Sequence, residues 1–305
     1  MISADNIRNI FRGKVSLNHA LAPYTSMKVG GPADYFLEPT DRADLIELVR
    51  LLQQNGFPFM MIGRGSNMII HDEGIRGAVI NLEPGLSGVV LENTLVMAEA
   101  GARLTKLVDF CIQNGLGGLE WAAGIPASVG GAIVMNAGAH GGEMKDSLAD
   151  IDVLRSGSVS RIRKEDAGFG YRTSSLGRDV VLSARFRLAE ADKQEILKRK
   201  SELIARRNAT QPLNLPNSGS MFKNPSGTFA AKLIEQAGLK GKRIGGAQIS
   251  EKHANFMVNL GDARAQDVVR LIDLARRTVY QNAGILLELE VKLVGFPEHV
   301  LANVA

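Results

Sequence analysis

Cysteine, aromatic residues and long apolar runs are all scarce in this chain of 305 residues. The single cysteine, Cys111, has no partner for an internal disulfide and lies in an amphipathic segment, which favours a buried, reduced thiol. No uninterrupted apolar run approaches the roughly 18 residues that a membrane helix needs. The first residues mix charged and apolar side chains without a secretory apolar core. We therefore expect a cytoplasmic globular protein that does not enter a membrane.

Aromatic residues make up only 5% of the chain and are not interleaved with its dispersed basic groups. The net charge of +4 and the sequence pI of about 9.2 weakly favour polyanionic partners such as nucleic acid or phosphorylated small molecules. Stacking platforms for single strands are not evident, so we predict no nucleic-acid partner. A nucleotide-binding or RNA-binding protein without enzymatic activity is an interpretation that rests on the pI alone.

Two familiar phosphate-binding motifs are also missing. No Gly-x-Gly-x-x-Gly opens a helix after a strand, and no Gly-x-x-x-x-Gly-Lys-Ser/Thr occurs. Simple Rossmann dehydrogenases and P-loop enzymes are therefore disfavoured. The five histidines are scattered without ligand-like spacing, and we predict no metal site.

Glycine, by contrast, is concentrated between Gly124 and Gly142, where six glycines occur in nineteen residues without one charged side chain. Glycine allows main-chain N–H groups to approach a ligand closely, so this segment can bind anionic oxygens through amides. Tight internal packing is the structural alternative. A second glycine loop, Gly63 to Asn67, lies between two predicted strands, and the two loops together could hold one long ligand such as a pyrophosphate.

Helical and strand-like patterns are intermixed without a strict βαβ rhythm, which favours an α+β fold. Apolar spacing predicts a helix between Thr40, as its N-cap, and Gly56, and further helices near 104–115, 190–208, 228–237 and 265–282. Alternation between Ile285 and Leu293 predicts a terminal strand with Glu288 and Glu290 on one face. Pro212 and Pro216 interrupt the pattern and mark a domain boundary.

A dense polar cluster runs from Asn217 to Pro225. Small residues lead to Ser220, and Lys223 and Asn224 follow it. The cluster is either a polar turn in which Ser218 or Ser220 caps a helix, or a site in which a serine donates a proton. No Gly-x-Ser-x-Gly elbow is present, so covalent serine catalysis is disfavoured.

Several motifs in one order resemble those of the UDP-N-acetylenolpyruvoylglucosamine reductases, the UDP-N-acetylmuramate dehydrogenases of bacterial peptidoglycan synthesis. The resemblance extends over nearly the whole chain. It is carried by Thr25 to Ala33, Gly63 to Asn67, Gly124 to Gly131, Ser218 to Pro225 and Gly245 to Asn259. Few residues separate Arg172 from the helix near 190, so the chain resembles the subclass without the extra tyrosine-bearing loop.

The resemblance implies a two-subdomain FAD fold of the vanillyl-alcohol-oxidase type with an α+β substrate domain. Residues 1–82 would form the first FAD subdomain, to which 285–305 would return, residues 83–208 the second, and residues 209–284 the substrate domain. NADPH would be the hydride donor, FAD would bind noncovalently, and no obligate protein partner is evident. The implied FAD contacts come from Gly63, Arg64, Gly65, Ser66, Asn67, Met68, Gly124, Ser128, Gly130, Gly131, Asn136, Ala137 and Gly138.

The resemblance also implies the reactive groups. Arg172 would stabilise an enolate, Ser220 would protonate the carbanion-like centre, and Glu290 would support the enolate, with Glu288 as its rival on the same strand face. Tyr171, Lys223 and Asn224 would bind the UDP-sugar. Thr210 and Gln211 stand where the family often carries a lysine, which leaves contacts to the diphosphate open. A flavin oxidase of the same fold, acting on an alcohol or lactone, is the alternative.

Overall fold

The computed structural model describes residues 4–297 and 300–301. Contacts divide the chain into two compact units. The first unit comprises the described residues of Met1–Leu17, Tyr35–Gly63 and Gly77–Arg207, and the second comprises Asn18–Asp34, Arg64–Arg76 and the described residues of Asn208–Ala305. Each unit has its own hydrophobic core.

The helices are α1 (Ala4–Arg8), α2 (Arg42–Gln54), α3 (Leu104–Gln113), α4 (Val129–Val134), α5 (Met144–Ser147), α6 (Lys193–Thr210), α7 (Ala230–Gln236) and α8 (Ala265–Ala283). Within the described residues, none of them is both long and apolar enough to cross a membrane.

The strands of the amino-terminal part are β1 (Lys14–Ala20), β2 (Pro32–Glu38), β3 (Phe59–Ile62), β4 (Met68–Ile70), β5 (Ile75–Asn81), β6 (Val89–Glu92) and β7 (Leu95–Glu99). The central strands are β8 (Leu116–Gly117), β9 (Gly138–Ala139), β10 (Gly142–Glu143), β11 (Leu148–Arg155), β12 (Ser158–Arg163), β13 (Val180–Arg187) and β14 (Ala189–Glu190). The last strands are β15 (Asn217–Ser220), β16 (Arg243–Ile244), β17 (Ala247–Ile249), β18 (Phe256–Asn259) and β19 (Lys292–Val294).

The start of α2 illustrates how local chemistry sets an element boundary. Asp41 is the N-cap, because its side chain accepts a hydrogen bond from the Asp44 amide at 2.9 Å. The prediction of Thr40 as the cap is therefore wrong by one residue. Thr40 instead donates its hydroxyl to the Asp44 carboxylate at 3.1 Å. The predicted end holds, since α2 stops at Gln54 and Gly56 follows with φ +59°.

The first unit is built around an antiparallel five-stranded sheet with the order β12-β11-β13-β7-β6. β13 lies at its centre, and all of its residues except Arg187 are buried. The register pairs Ile151 with both Ile162 and Ala184, which stacks apolar side chains across adjacent strands. In a second sheet, of order β1-β2-β5-β3, β3 and β5 are parallel.

A buried ionic cluster lies within the five-stranded sheet. Asp152 accepts hydrogen bonds from Arg185 at 2.9 Å, from Arg161 at 3.0 Å, and from Ser183 and Arg42 at 3.3 Å. Burial acts to raise the pKa of Asp152, but the hydrogen bonds from Arg161 and Arg185 and their charges lower it to about 2. The cluster therefore holds an ionised carboxylate inside the unit.

We expect Asp152→Asn to lower the free energy of unfolding by about 1–2 kcal/mol at pH 7, because it removes one of the two carboxylates that pair with Arg185. The folded-state pKa of Asp152 is depressed below its ordinary value of 3.8, so its contribution is present above about pH 4 and is lost as the pH falls toward 2. Urea unfolding between pH 7 and pH 3 measures both effects. Asp166→Asn, at an exposed ion pair with Arg163, is the control and should change little. Equal losses in both variants would contradict the prediction.

The second unit contains an antiparallel sheet of order β15-β18-β17-β16, which packs against α8. Asp72 accepts hydrogen bonds from the Ala265 and Gln266 amides, which anchors the start of α8. The predicted terminal strand is regular only in β19, which pairs in parallel with β4. The preceding residues keep the expected alternation in burial, since Leu287 and Val291 are buried and Glu288 is exposed.

Candidate active site

In the first unit, Gly63 of one glycine loop lies against Ser128 of the other. A Cβ atom on Gly63 would lie 2.1 Å from the Ser128 hydroxyl oxygen, so only glycine permits this approach. The same hydroxyl accepts a hydrogen bond from the Gly131 amide at 3.3 Å and caps α4. Gly63, Ser128 and Gly131 thus form one small, uncharged surface.

The glycine-rich segment is more regular than a binding loop. It contains α4, which sequence reasoning missed because adjacent glycines disfavour a helix, although Ser128 is a good N-cap. Gly130 packs against Ala100, and Gly142 packs against the Trp121 ring. Part of the glycine content therefore serves internal packing, the alternative left open above.

The Arg64–Met68 segment belongs to the second unit. Gly65 has φ +55°, and its carbonyl accepts a hydrogen bond from the Ser26 amide at 3.1 Å. Among the described residues, the amides of Gly65 and Ser66 find no hydrogen-bond acceptor. Two adjacent main-chain donors of this kind suit anionic oxygens.

Arg172 lies in a tight turn of the first unit. Gly170 and Thr173 bridge the turn, and Arg172 itself has φ +56°, a left-handed conformation that is strained for a side chain of its size. Its guanidinium donates to the Gly138 carbonyl at 2.7 Å and lies 5.0 Å from the centre of the Tyr171 ring. The Tyr171 side chain is exposed. The turn thus presents a fixed cation beside an exposed aromatic ring.

Asn136 supports this turn from inside. Its fully buried side chain donates to the Gly170 carbonyl and to Glu143, both at 2.9 Å, and accepts from the Lys145 amide at 3.1 Å. Burial acts to raise the pKa of Glu143, but hydrogen bonds from Lys145 and Asn136 and the nearby charge of Arg172 lower it. The side chain of Asn136 is therefore engaged within the protein, which favours a supporting role over a ligand contact.

Ser220 and Glu290 lie on adjoining segments of the second unit. Ser220 ends β15 opposite Phe256, and the next residue, Met221, accepts a hydrogen bond from the Glu290 amide at 2.9 Å. The Glu290 carbonyl in turn accepts from the Asn67 side chain at 3.1 Å. The Glu290 backbone is thus bonded to the residue after Ser220 and to the Asn67 side chain, which the sequence alone did not indicate.

Glu288 is distinguished from Glu290 by its partner. Its carboxylate accepts from the Lys223 ammonium at 2.5 Å, and the Lys223 amide donates to the Glu288 carbonyl at 2.9 Å. The Glu288 side chain is 72% exposed, whereas Glu290 is only partly exposed. Glu288 is therefore paired with Lys223, whereas the Glu290 backbone is bonded to Met221, the residue after Ser220.

Comparison with known proteins places this geometry in a family. A family model described as the C-terminal domain of UDP-N-acetylenolpyruvoylglucosamine reductase matches residues 211–294, and a model described as an FAD binding domain matches residues 33–162. The UDP-N-acetylenolpyruvoylglucosamine reductase of Chloroherpeton thalassium is 48% identical over 98% of this chain and 99% of the relative. That of Heliobacterium modesticaldum is 45% identical over 93% and 92%. The chain belongs to the UDP-N-acetylenolpyruvoylglucosamine reductase family.

Solved structures agree with this family assignment. The UDP-N-acetylenolpyruvylglucosamine reductase from Thermus caldophilus is 39% identical, covers 93% of this chain and 99% of its own, and superposes with a TM-score of 0.80. Cholesterol oxidase from B. sterolicum, at 16% identity and a TM-score of 0.50 over 62% of this chain, is similar in fold alone. The predicted α+β fold with an FAD-binding part of this type is confirmed.

The remaining predicted residues also have defined surroundings. Asn224 uses its side-chain oxygen to accept from the Ala230 amide at the start of α7. Thr210 ends α6, and the side-chain oxygen Oε1 of Gln211 is buried without a donor among the described residues.

The predicted burial of Cys111 is confirmed. The Cys111 thiol is buried, and burial together with the charge of Glu120 raises its pKa to about 12. The thiol is therefore protonated and unreactive. Across residues 4–297 and 300–301, no group of three or more metal-ligating side chains could hold an ion. His299 lies outside the described residues.

Proposed function

We propose that this chain catalyses the NADPH-dependent reduction of UDP-N-acetylglucosamine enolpyruvate to UDP-N-acetylmuramate with FAD as its cofactor, a step in peptidoglycan precursor synthesis. The names of its close relatives support the substrate and the reaction type. The single observation that carries the proposal is the backbone hydrogen bond from Glu290 to Met221, the residue after Ser220, because it places a hydroxyl and a carboxylate on adjoining segments. We further infer that the reaction takes place in the cytoplasm.

The residues present fit a flavin nucleotide. Gly63 and Ser128 approach each other too closely to admit a side chain, and the Gly65 and Ser66 amides offer donors for pyrophosphate oxygens. Met68, Gly124, Gly130, Ala137 and Gly138 are further proposed contacts, together with the backbone of Arg64, Asn67, Gly131 and Asn136. When bound, FAD supplies to the enolpyruvyl group a hydride that originates from NADPH.

Residues of the chain would then stabilise the negative charge and donate a proton. Hydride addition to the terminal carbon of the enolpyruvyl group places negative charge on the adjacent carbon and its carboxylate. Arg172, a fixed guanidinium in a rigid turn, would stabilise that charge. Ser220 would donate the proton to the adjacent carbon, and Glu290 would support the enolate as a protonated donor or through a water.

Binding of the UDP-sugar is assigned to Tyr171, Lys223 and Asn224. The Lys223 ammonium is partly exposed and held by Glu288, which fixes its position for an anionic ligand. Tyr171 offers an exposed ring beside Arg172. Asn224 retains its side-chain NH2 group as a donor, because its carbonyl oxygen caps α7.

One anaerobic experiment tests the function. NADPH should bleach the yellow purified protein, and addition of UDP-N-acetylglucosamine enolpyruvate should restore the oxidised spectrum in stoichiometric yield with formation of UDP-N-acetylmuramate. A colourless protein that takes up no FAD would rule the proposal out. If oxygen reoxidised the flavin and the enolpyruvyl sugar nucleotide had no effect, the proposed reductase would be replaced by a flavin oxidase.

We expect Gly63→Ala to weaken FAD binding by at least about tenfold, because the new methyl group must displace the Ser128 hydroxyl that caps α4. Flavin fluorescence titration of the apoprotein measures the Kd. Gly177→Ala is the matched control, since a Cβ atom there meets nothing within 4 Å. Unchanged FAD affinity in Gly63→Ala would remove Gly63 from the proposed cofactor site.

A further inference from the structure

The segment that carries Ser220 continues beyond β15 without a regular strand partner on one side. Asn255, the residue before β18, lies beside Met221 and Phe222. The Met221 amide donates to the Asn255 carbonyl at 2.8 Å. At the next residue, Phe222, the Asn255 side chain rather than its backbone forms the hydrogen bonds.

The Asn255 side chain takes the place of a peptide group. Its Oδ1 atom accepts from the Phe222 amide at 3.0 Å, and its Nδ2 atom donates to the Phe222 carbonyl at 2.8 Å. The side chain is buried, with the residue only 3% exposed, so both of its bonds are shielded from competing water. Phe222 is itself fully buried, which fixes the other end of the clamp.

The opposite edge of the same short segment carries Glu290. Met221 accepts from the Glu290 amide at 2.9 Å, Phe222 bridges Leu289, and Lys223 donates to the Glu288 carbonyl at 2.9 Å. A shift of Phe222 along its segment would therefore strain these bonds and change the alignment of Ser220 with Glu290. No other side chain among the described residues bonds to both backbone groups of Phe222.

We propose that Asn255 is a positioning residue that sets the register between Ser220 and Glu290 by clamping the Phe222 backbone. The inference rests on the proposed function for its catalytic consequence, whereas the clamp itself is a property of the protein alone. Asn255 makes no contribution of its own to the proton or charge chemistry. It acts through the backbone, on which the alignment of the two reactive side chains depends.

Asn255→Asp isolates this role, because the carboxylate keeps the acceptor for the Phe222 amide and loses the donor to the Phe222 carbonyl. Asn259→Asp is a matched control. Asn259 lies on β18, is equally buried at 3%, donates to the Met27 carbonyl at 3.0 Å, and accepts from the Gly261 and Ala263 amides. Each variant thus loses one buried amide donor to a carbonyl and keeps its acceptor.

The first readout is hydrogen exchange of the protein without cofactor or substrate, followed in peptides that cover 219–223 and 287–291. Asn255→Asp should speed exchange in both peptides by about tenfold or more, and Asn259→Asp should leave them within about twofold of the wild type. Equal exchange in the two variants would overturn the proposed clamp, whatever the enzyme's activity.

The second readout separates the two half-reactions of the FAD-loaded protein. Reduction by NADPH should stay within about twofold in both variants, while the product-forming half-reaction slows about tenfold or more in Asn255→Asp only. Asn255→Ser, which removes both side-chain contacts without burying a charge, should show the same pattern if Asn255→Asp fails to fold. An unimpaired product-forming step in either soluble variant would overturn the positioning role. Failure of the wild type to reduce the enolpyruvyl substrate would overturn the proposed function and leave the exchange result intact.

Discussion

Ser220→Ala is expected to leave reduction of the bound flavin by NADPH nearly unchanged and to slow the product-forming half-reaction by about 10²–10⁴-fold, the usual contribution of a positioned general acid. The physical reason is the location of the hydroxyl at the end of β15, beside the Glu290 segment. Removal of the hydroxyl deletes the proton donor but none of the hydrogen bonds of the adjoining backbone. Stopped-flow absorbance of the flavin, recorded separately for each half-reaction, measures the effect.

Ser218→Ala is the control for this prediction. Ser218 lies two residues earlier, is 2% exposed, and donates its hydroxyl to the Met68 carbonyl at 3.3 Å. Its loss should lower stability modestly, by about 1 kcal/mol, and affect both half-reactions little. Equal impairment of both half-reactions in Ser220→Ala would mark Ser220 as a structural residue. A slow product-forming step in Ser218→Ala as well would show that the measurement reports disturbance of the strand.

Regular elements were predictable where a local pattern determines them. The spacing of Leu45, Leu48, Val49 and Leu52 sets the buried face of α2, and the structure differs from the prediction only in the cap. The hairpin of β11 and β12 likewise follows from alternation of apolar residues. Such signals lie within one turn or one strand pair, so a single sequence carries them.

The parts of the site that were not predictable depend on distant contacts. Nothing local distinguishes Glu288 from Glu290, which share one strand face, until the Lys223 contact separates them. Asn136 forms buried hydrogen bonds to Gly170, which is distant in the sequence, and to Glu143, which follows a glycine-rich segment whose composition hides its structure. The family resemblance implied a ligand contact for Asn136, whereas its surroundings favour support of the Arg172 turn.

Arg172→Asn is expected to slow the product-forming half-reaction by about 10²–10³-fold, the usual cost of removing one charge-stabilising group from an active site. Asparagine is the informative replacement because it tolerates the left-handed conformation, φ +56°, that Arg172 adopts. The variant removes the guanidinium and its bond to the Gly138 carbonyl while it keeps the backbone of the Gly170–Thr173 turn. Flavin reduction by NADPH should be nearly normal, since the developing charge arises only on the enolpyruvyl group.

Arg172→Lys tests whether charge alone is sufficient. A lysine keeps the positive charge but lacks the planar fork that can hold a carboxylate and the Gly138 carbonyl together, so we expect it to recover only part of the loss. Arg163→Asn, at an exposed ion pair with Asp166, controls for a general loss of positive charge and should behave as the wild type. If Arg172→Asn impaired FAD affinity and both half-reactions alike, the guanidinium would serve to hold the Gly138 segment. If Arg172→Asn slows only the product-forming step and Arg172→Lys restores part of the rate, the charge of Arg172 must act on the substrate.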